Sequence, residues 1–122
     1  MYTFTETCQQ VEALAHLEQG WNGYNAPPPT AGAIRRAICW LNQAVKECQS
    51  ANVSWYQPNV SAGGDEEVAL SWVANDRSLN VYIDTEEATF HKTKYSDGPV
   101  AHTHGAAPQG TGQAELLHWF GQ

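Results

Sequence analysis

The chain has 122 residues, of which 42% are hydrophobic and 11% aromatic, so it can bury a core and is not fully disordered. This length suits one domain, and we predict a single domain over residues 1–122. Six basic residues oppose thirteen acidic ones, which gives a formal net charge of −7 at pH 7. Such a charge excludes nonspecific binding to nucleic acid or to an anionic membrane, because those surfaces require clustered cations.

Two helices are predicted in residues 1–50, which would form one layer of the domain. From Thr5 to Gln19 the apolar residues recur every three or four positions, with Thr5 as the cap and Gly20 as the stop. A second helix begins after Thr30, which follows three prolines, and runs to about Ser50. Its apolar stripe is clear, so one face of this helix should be buried.

Beyond residue 51 the apolar residues alternate with a period of two, which predicts an antiparallel sheet over residues 53–95. Residues 53–60 can form a short strand, which Pro58 confines to an edge or a bulge. The alternating segments 67–74 and 77–84 should form a hairpin around Asn75-Asp76, and residues 88–94 a third strand.

The register of this hairpin follows from its two-residue loop, since paired residue numbers must sum to 151. All three apolar pairs then fall on one face, and a one-residue slip would separate them. The predicted pairs are Val68 with Ile83, Leu70 with Val81 and Trp72 with Leu79.

The C-terminal part is predicted as a flexible loop over residues 96–112, rich in Gly, Pro, His and Ala, followed by a terminal helix over residues 113–121. The expected fold class is α+β. Two N-terminal helices should pack on a three- to four-stranded antiparallel meander, with a short C-terminal helix.

Several short motifs resemble those of a loose family of small bacterial and phage proteins. They are Gly-Trp-Asn-Gly-Tyr at 20–24 with Ala-Pro-Pro-Pro-Thr at 26–30, and Val-Ala-Leu-Ser-Trp at 68–72 with Leu-Asn-Val-Tyr-Ile-Asp at 79–84. The resemblance covers roughly residues 12–92. It implies the same architecture and a bacterial or phage origin, and it implies no particular activity. In size and charge the chain also resembles antitoxins, immunity proteins and phage anti-CRISPR inhibitors.

The negative charge is concentrated in the C-terminal half, where residues 65–122 carry three basic and nine acidic side chains. The predicted register places Glu67 opposite Asp84, so six acidic residues should gather at one end of the sheet. Like charges in such positions destabilise a sheet unless a basic partner or a cation neutralises them. A divalent metal ion and simple solvation of acidic turns are the alternatives. The six predicted residues are Asp65, Glu66, Glu67, Asp84, Glu86 and Glu87.

Histidines form a second candidate site. His102 and His104 alternate along the chain, so an extended segment would point both the same way, where they could share zinc or nickel. A site would need a third or fourth ligand, for which the candidates are His91, Asp97 and His118, and the spacing fixes none of them. A mobile loop with solvated histidines is the alternative. No cofactor is predicted. His16 and His118 fall on helices and are expected at the surface.

Aromatic residues are predicted to anchor a partner beside the acidic end, because Trp and Tyr offer large contact areas at a small entropic cost. The candidates are Trp21, Tyr24, Trp55 and Tyr56. For Trp21 the alternative is a structural role, in which it packs the turn between the two helices.

The cysteines and the chain start indicate the cytoplasm. Cys8, Cys39 and Cys48 are an odd number without a CxxC pair, so we predict free, buried and unreactive thiols. No apolar run approaches the roughly 20 residues of a membrane span, and residues 1–10 do not resemble a secretion signal.

These features predict a non-enzymatic, acidic protein that binds and blocks a basic protein surface, for example on a nucleic-acid-binding protein. It would be of the inhibitor, immunity or antitoxin type, which includes phage anti-CRISPR proteins. One alternative is a metal-dependent enzyme that uses His91, His102 and His104. Another is a structural homo-oligomer whose edge strands pair across a two-fold axis.

Overall fold

The computed structural model describes residues 4–17, 28–63, 66–74, 76–95, 100–107 and 112–121. The five strands form one antiparallel sheet in the order β1-β2-β3-β4-β5, so each strand pairs with its neighbours in sequence. The predicted α+β class is confirmed, with one or two strands more than expected. The elements are α1 (Phe4–Ala13), a 3-10 turn (Leu14–His16), α2 (Ala31–Ala51), β1 (Asn59–Ala62), β2 (Val68–Val73), β3 (Arg77–Ile83), β4 (Ala88–Lys94), β5 (Ala101–Ala106) and α3 (Gln113–Phe120).

The central hairpin has the predicted register. Val68 lies opposite Ile83, and the next two apolar pairs follow in step along β2 and β3. Strand β4 also has the predicted bounds and pairs with β3 over its whole length. Alternation fixes this register because β2 and β3 bury one face, and a slip would expose every apolar side chain on it.

Helix α2 forms as predicted and ends one residue later, at Ala51. The Thr30 side chain accepts a hydrogen bond from the Ala33 amide at 3.0 Å, which caps the first turn. Asn52 ends the helix in a left-handed conformation with φ of 57°. Asn is one of the few residues that adopts this conformation at low cost.

Helix α1 is shorter than predicted and ends at Ala13 instead of continuing to Gln19. It also begins at Phe4, so Thr5 lies inside the helix and not at its cap. After the 3-10 turn, Leu17 is extended, with φ of −71° and ψ of 147°. The helix ends because Thr7 and Val11 supply its buried positions, whereas the turn that follows contains no buried residue.

The first strand starts later than predicted, at Asn59. Pro58 has no amide hydrogen to donate and lies just before β1. Residues 53–58 form no strand. Instead the indole Nε1 of Trp72 donates a hydrogen bond to the main-chain oxygen of Tyr56 at 2.7 Å, which fastens this segment to the sheet.

The prediction of a loop over residues 96–112 is wrong for its central part, which forms strand β5. This edge strand has no buried residue, and Gly105 is its only partly buried position. It is held by main-chain pairing with β4, and the Ala107 amide donates to the Ala88 oxygen at 2.8 Å. A strand exposed on both faces shows no hydrophobic alternation, so the sequence gives no sign of it.

The core lies between one face of the sheet and the helices. Helix α2 packs on β2 and β3, α1 packs on α2 and β1, and α3 packs on α2 and β3. The helical layer therefore includes the C-terminal helix as well as the two N-terminal ones. Leu41, Leu70 and Leu117 are fully buried in this core, and the rings of Trp40 and Trp72 meet at 6.4 Å.

The other face of the sheet turns away from the helices, and we call it the open face. Side chains alternate along each strand, so the registers determine which residues share this face. Among the described residues of the open face, none is Asp, Glu, Lys or Arg. They are Asn59, Ser61, Ala69, Ser71, Val73, Ser78, Asn80, Tyr82, Thr89, His91, Thr93, His102, His104 and Ala106.

Candidate functional site

Three of the predicted acidic residues share one cleft at the end of the sheet. Glu66, Asp84 and Glu86 line an open cleft of about 200 Å³ together with Thr30 and Thr85. We call this site the acidic cleft. The register explains the gathering, because β2 begins and β3 ends at the Val68–Ile83 pair, and the acidic turns flank that pair.

Two hydrogen bonds connect this end of the sheet to the start of α2. The Thr30 amide donates to the main-chain oxygen of Glu66 at 3.3 Å, and the hydroxyls of Thr30 and Thr85 are 2.6 Å apart. Glu66 has φ of 61°, in the left-handed region that a glutamate rarely adopts. The two hydrogen bonds fix the positions of both acidic turns relative to the helix.

Asp84 has a structural role that the sequence analysis missed. Its Oδ1 atom accepts hydrogen bonds from the amides of Glu86 and Glu87, both at 2.7 Å. The Asp84 amide donates to the Glu87 oxygen at 3.0 Å, so the carboxylate closes the β3–β4 turn. An Asp followed by turn residues is the signal that could have indicated this role.

The start of α2 offers a physical reason why the acidic residues can gather. The amino end of a helix carries a partial positive charge, and carboxylates beside it are stabilised by about 0.3–1 kcal/mol each. Thr30 is the N-cap of α2 and lines the acidic cleft itself. The helix dipole therefore offsets part of the repulsion among Glu66, Asp84 and Glu86.

The other predicted acidic and aromatic residues are placed differently. Glu67 is half-buried and lies over Gly63, where a side chain on Gly63 would collide with it. Glu87 is exposed and follows Glu86 in the same turn, but it does not line the acidic cleft. Asp65, Trp21 and Tyr24 lie outside the described residues.

Trp55 and Tyr56 do not adjoin the acidic cleft. Both are half-buried and pack against the core, and the Tyr56 ring meets Phe120 edge-on at 5.4 Å. The main-chain oxygen of Tyr56 accepts a hydrogen bond from Trp72. Trp72 lies five residues beyond Glu67 and six beyond Glu66, and five residues of a strand span about 17 Å. The predicted arrangement of aromatic anchors next to the acids is therefore not observed for these two residues.

The structure brings His91, His102 and His104 together on the open face, and we call them the imidazole cluster. The ring centres are 5.4 Å apart for His91 and His102, 5.5 Å for His91 and His104, and 5.6 Å for His102 and His104. The β4–β5 pairing causes this arrangement, because it places His91 directly opposite His104 and His102 opposite Thr93.

The contacts within the imidazole cluster are polar. Nδ1 of His91 lies 3.4 Å from Nε2 of His102, and Nδ1 of His102 lies 3.0 Å from the Thr93 hydroxyl. Tyr82 meets His91 edge-on at 5.5 Å. Burial, and then the charges of His102 and His104, lower the pKa of His91 from its ordinary value. In the observed side-chain conformations, no three His, Cys, Asp or Glu residues within the described ranges can hold a metal ion.

The three cysteines are free, and their exposure differs from the prediction. Cys48 is buried as expected, whereas Cys39 is exposed and Cys8 is half-buried. Burial raises the pKa of the Cys48 thiol, and the neighbouring Glu47 raises it further. Cys39 is exposed because it lies on the side of α2 away from the core, a position that its helical phase relative to Leu41 and Cys48 indicates.

Comparison with known proteins adds no relative: no family model, curated protein or solved structure matches the chain. Among the helices in the described ranges, none combines the length and apolar character that a membrane crossing requires.

Proposed function

We propose that the protein is a non-enzymatic binding protein that places its acidic cleft against a basic surface of a protein partner and thereby blocks it. The observation that carries this proposal is the meeting of Glu66, Asp84 and Glu86 in one open cleft, with exposed Glu87 next to Glu86 in the same turn. Among the described residues that line the cleft, none is Lys or Arg.

The physical basis of the proposal is electrostatic complementarity. Opposite surface charges steer two proteins together and raise the association rate, an effect that salt weakens. A nucleic-acid-binding protein is the expected partner class, because carboxylates can occupy positions where phosphates would bind. An inhibitor, an immunity protein or an antitoxin, phage anti-CRISPR proteins included, would act in this way.

The test reverses charge without breaking the turn. Asp84 is left intact because its carboxylate holds the turn amides, whereas Glu86 and Glu87 have exposed side chains. The variant is therefore Glu86→Lys with Glu87→Lys. The control is Glu12→Lys with Glu115→Lys, which makes the same change in net charge at exposed positions of α1 and α3.

The wild type and both variants are used to capture partners from lysate of the cell of origin, with cross-linking and mass spectrometry. We expect a basic protein to cross-link near residues 84–87 of the wild type and the control. Association of the purified pair should slow by about tenfold or more in the cleft variant and in high salt. Equal association rates for the cleft variant and the wild type would refute the proposal.

A further inference from the structure

We propose that the imidazole cluster is a binding site for one divalent zinc ion. The site lies on the open face at the β4–β5 edge of the sheet, and it is independent of the function proposed for the acidic cleft. The three ligands would be ring nitrogens of His91, His102 and His104, with the fourth position open to water. No reaction at the ion is part of the proposal.

The backbone places the three ligands correctly. His102 and His104 alternate on β5 and so share a face, and His91 faces His104 directly from β4. In tetrahedral zinc sites the metal–nitrogen distance of about 2.0–2.1 Å separates two ligand nitrogens by roughly 3.3–3.4 Å. The 3.4 Å between Nδ1 of His91 and Nε2 of His102 agrees with this separation. It is longer than the 2.7–3.2 Å typical of N–H hydrogen bonds.

The Thr93 hydroxyl orients one of the ligands. It lies 3.0 Å from Nδ1 of His102, on the side of the ring away from the nitrogen that approaches His91. Metal-binding histidines commonly donate their other ring N–H to an oxygen, which fixes the tautomer and leaves the ligand nitrogen unprotonated. The contact between Thr93 and His102 is thus the hydrogen bond expected behind a metal-binding histidine.

Zinc binds imidazole in its neutral form. Among the described residues, no Asp, Glu, Lys or Arg shares the open face with the cluster. The nearby ammonium group of Lys92 lies on the opposite face, 5.2 Å from the centre of the Trp119 ring and 5.7 Å from that of Phe90. Its charge therefore points away from the cluster.

One ring has to turn before all three nitrogens converge. The planes of His91 and His104 are stacked at 24°, so their in-plane lone pairs run nearly side by side. His104 is exposed on an edge strand, where a change of side-chain rotamer costs little. The observed conformations of the described residues contain no preformed three-ligand geometry, so the proposal requires this turn of the His104 ring.

The experiment titrates ZnCl₂ into tag-free, EDTA-treated and dialysed protein by isothermal calorimetry. The chain supplies its own control, because His16 and His118 are exposed on helical segments outside the cluster. The variants are His91→Asn, His102→Asn and His104→Asn singly, and His16→Asn with His118→Asn together. Circular dichroism and thermal melts of the metal-free proteins check that each variant is folded.

We expect one zinc per chain, at least tenfold weaker binding in each cluster variant, and unchanged binding in the control. Thr93→Val should weaken binding by about tenfold, the usual effect of losing a contact behind a ligand. Co²⁺ should give the strong visible absorption of a tetrahedral site. Absence of a one-to-one zinc complex would overturn the proposal. So would unchanged affinity in His91→Asn, because His102 and His104 alone would then chelate the ion.

Discussion

The guanidinium of Arg77 donates a hydrogen bond from Nη1 to the main-chain oxygen of Trp119 at 2.6 Å and lies 5.2 Å from the centre of the Trp119 ring. Arg77 begins β3 and Trp119 lies in the last turn of α3, so this contact joins the sheet to the C-terminal helix. Arg77 is only 6% exposed, and Asp76 is 3.4 Å from its Nη2 atom. A cation at the carboxyl end of a helix also interacts favourably with the helix dipole.

Replacing Arg77 with Ala should therefore lower the free energy of unfolding by about 1.5–3 kcal/mol, the range for a hydrogen bond to a charged group. Urea denaturation followed by fluorescence measures the change. Arg35→Ala is the matched control because Arg35 is exposed on α2, and its effect should stay within about 0.5 kcal/mol. Equal unfolding midpoints for the two variants would show that the Arg77 contact contributes nothing.

Glu47 of α2 caps the start of α3, which has no cap from its own side chains. Its Oε1 atom accepts hydrogen bonds from the amides of Gly112 at 2.7 Å and Ala114 at 3.2 Å. We expect Glu47→Ala to cost about 0.5–2 kcal/mol, as loss of an N-cap does, and Glu47→Gln to cost less because it keeps an acceptor oxygen.

Hydrogen exchange locates this effect. The α3 amides should exchange faster in Glu47→Ala than in the wild type, whereas exchange in the β2–β3 hairpin should change less. Gln49→Ala, at an exposed position of the same helix, is the control. Unchanged exchange in α3 would contradict a capping role for Glu47.

Cysteine reactivity should follow exposure and thiol pKa. Exposed Cys39 should react first with iodoacetamide, while Cys8 should lag because burial and then Glu12 raise its pKa. A raised pKa means less thiolate at a given pH and slower alkylation. Cys48 should react only after denaturation. Peptide mass spectrometry follows the labelling of each cysteine over time, and Cys39→Ser should remove the fast phase. If Cys48 in the folded protein is labelled as fast as Cys39, its buried position is contradicted.

The best-predicted parts of the fold are those with one buried and one exposed face. Leu70 and Val81 alternate with polar neighbours, so the hairpin register and the gathering of acids that depends on it could be inferred from the sequence alone. Strand β5 could not, because its side chains bury nothing and pairing with β4 is a non-local main-chain effect. The meeting of His91 with His104 depends on that same pairing, so the sequence alone shows only that His102 and His104 alternate.

Variants of Asp84 distinguish the role of its hydrogen bonds from the role of its charge in the acidic cleft. Its Oδ1 atom holds two turn amides, so Asp84→Ala should destabilise the protein by about 1–2 kcal/mol, since two amides lose their partner. Asp84→Asn should recover much of this stability because it keeps an oxygen acceptor. Glu86→Ala is the control, since the turn uses the main-chain amide of Glu86 and its side chain is exposed.

Salt decides between the two roles of Asp84. A hydrogen bond is insensitive to ionic strength, whereas an attraction between the carboxylate and the amino end of α2 is screened within about 3 Å at 1 M salt. We therefore expect urea denaturation to show the same loss for Asp84→Ala in 0.05 M and in 1 M NaCl. If the loss disappears in 1 M NaCl, Asp84 acts through its charge, and Asp84→Asn should then be as unstable as Asp84→Ala at low salt.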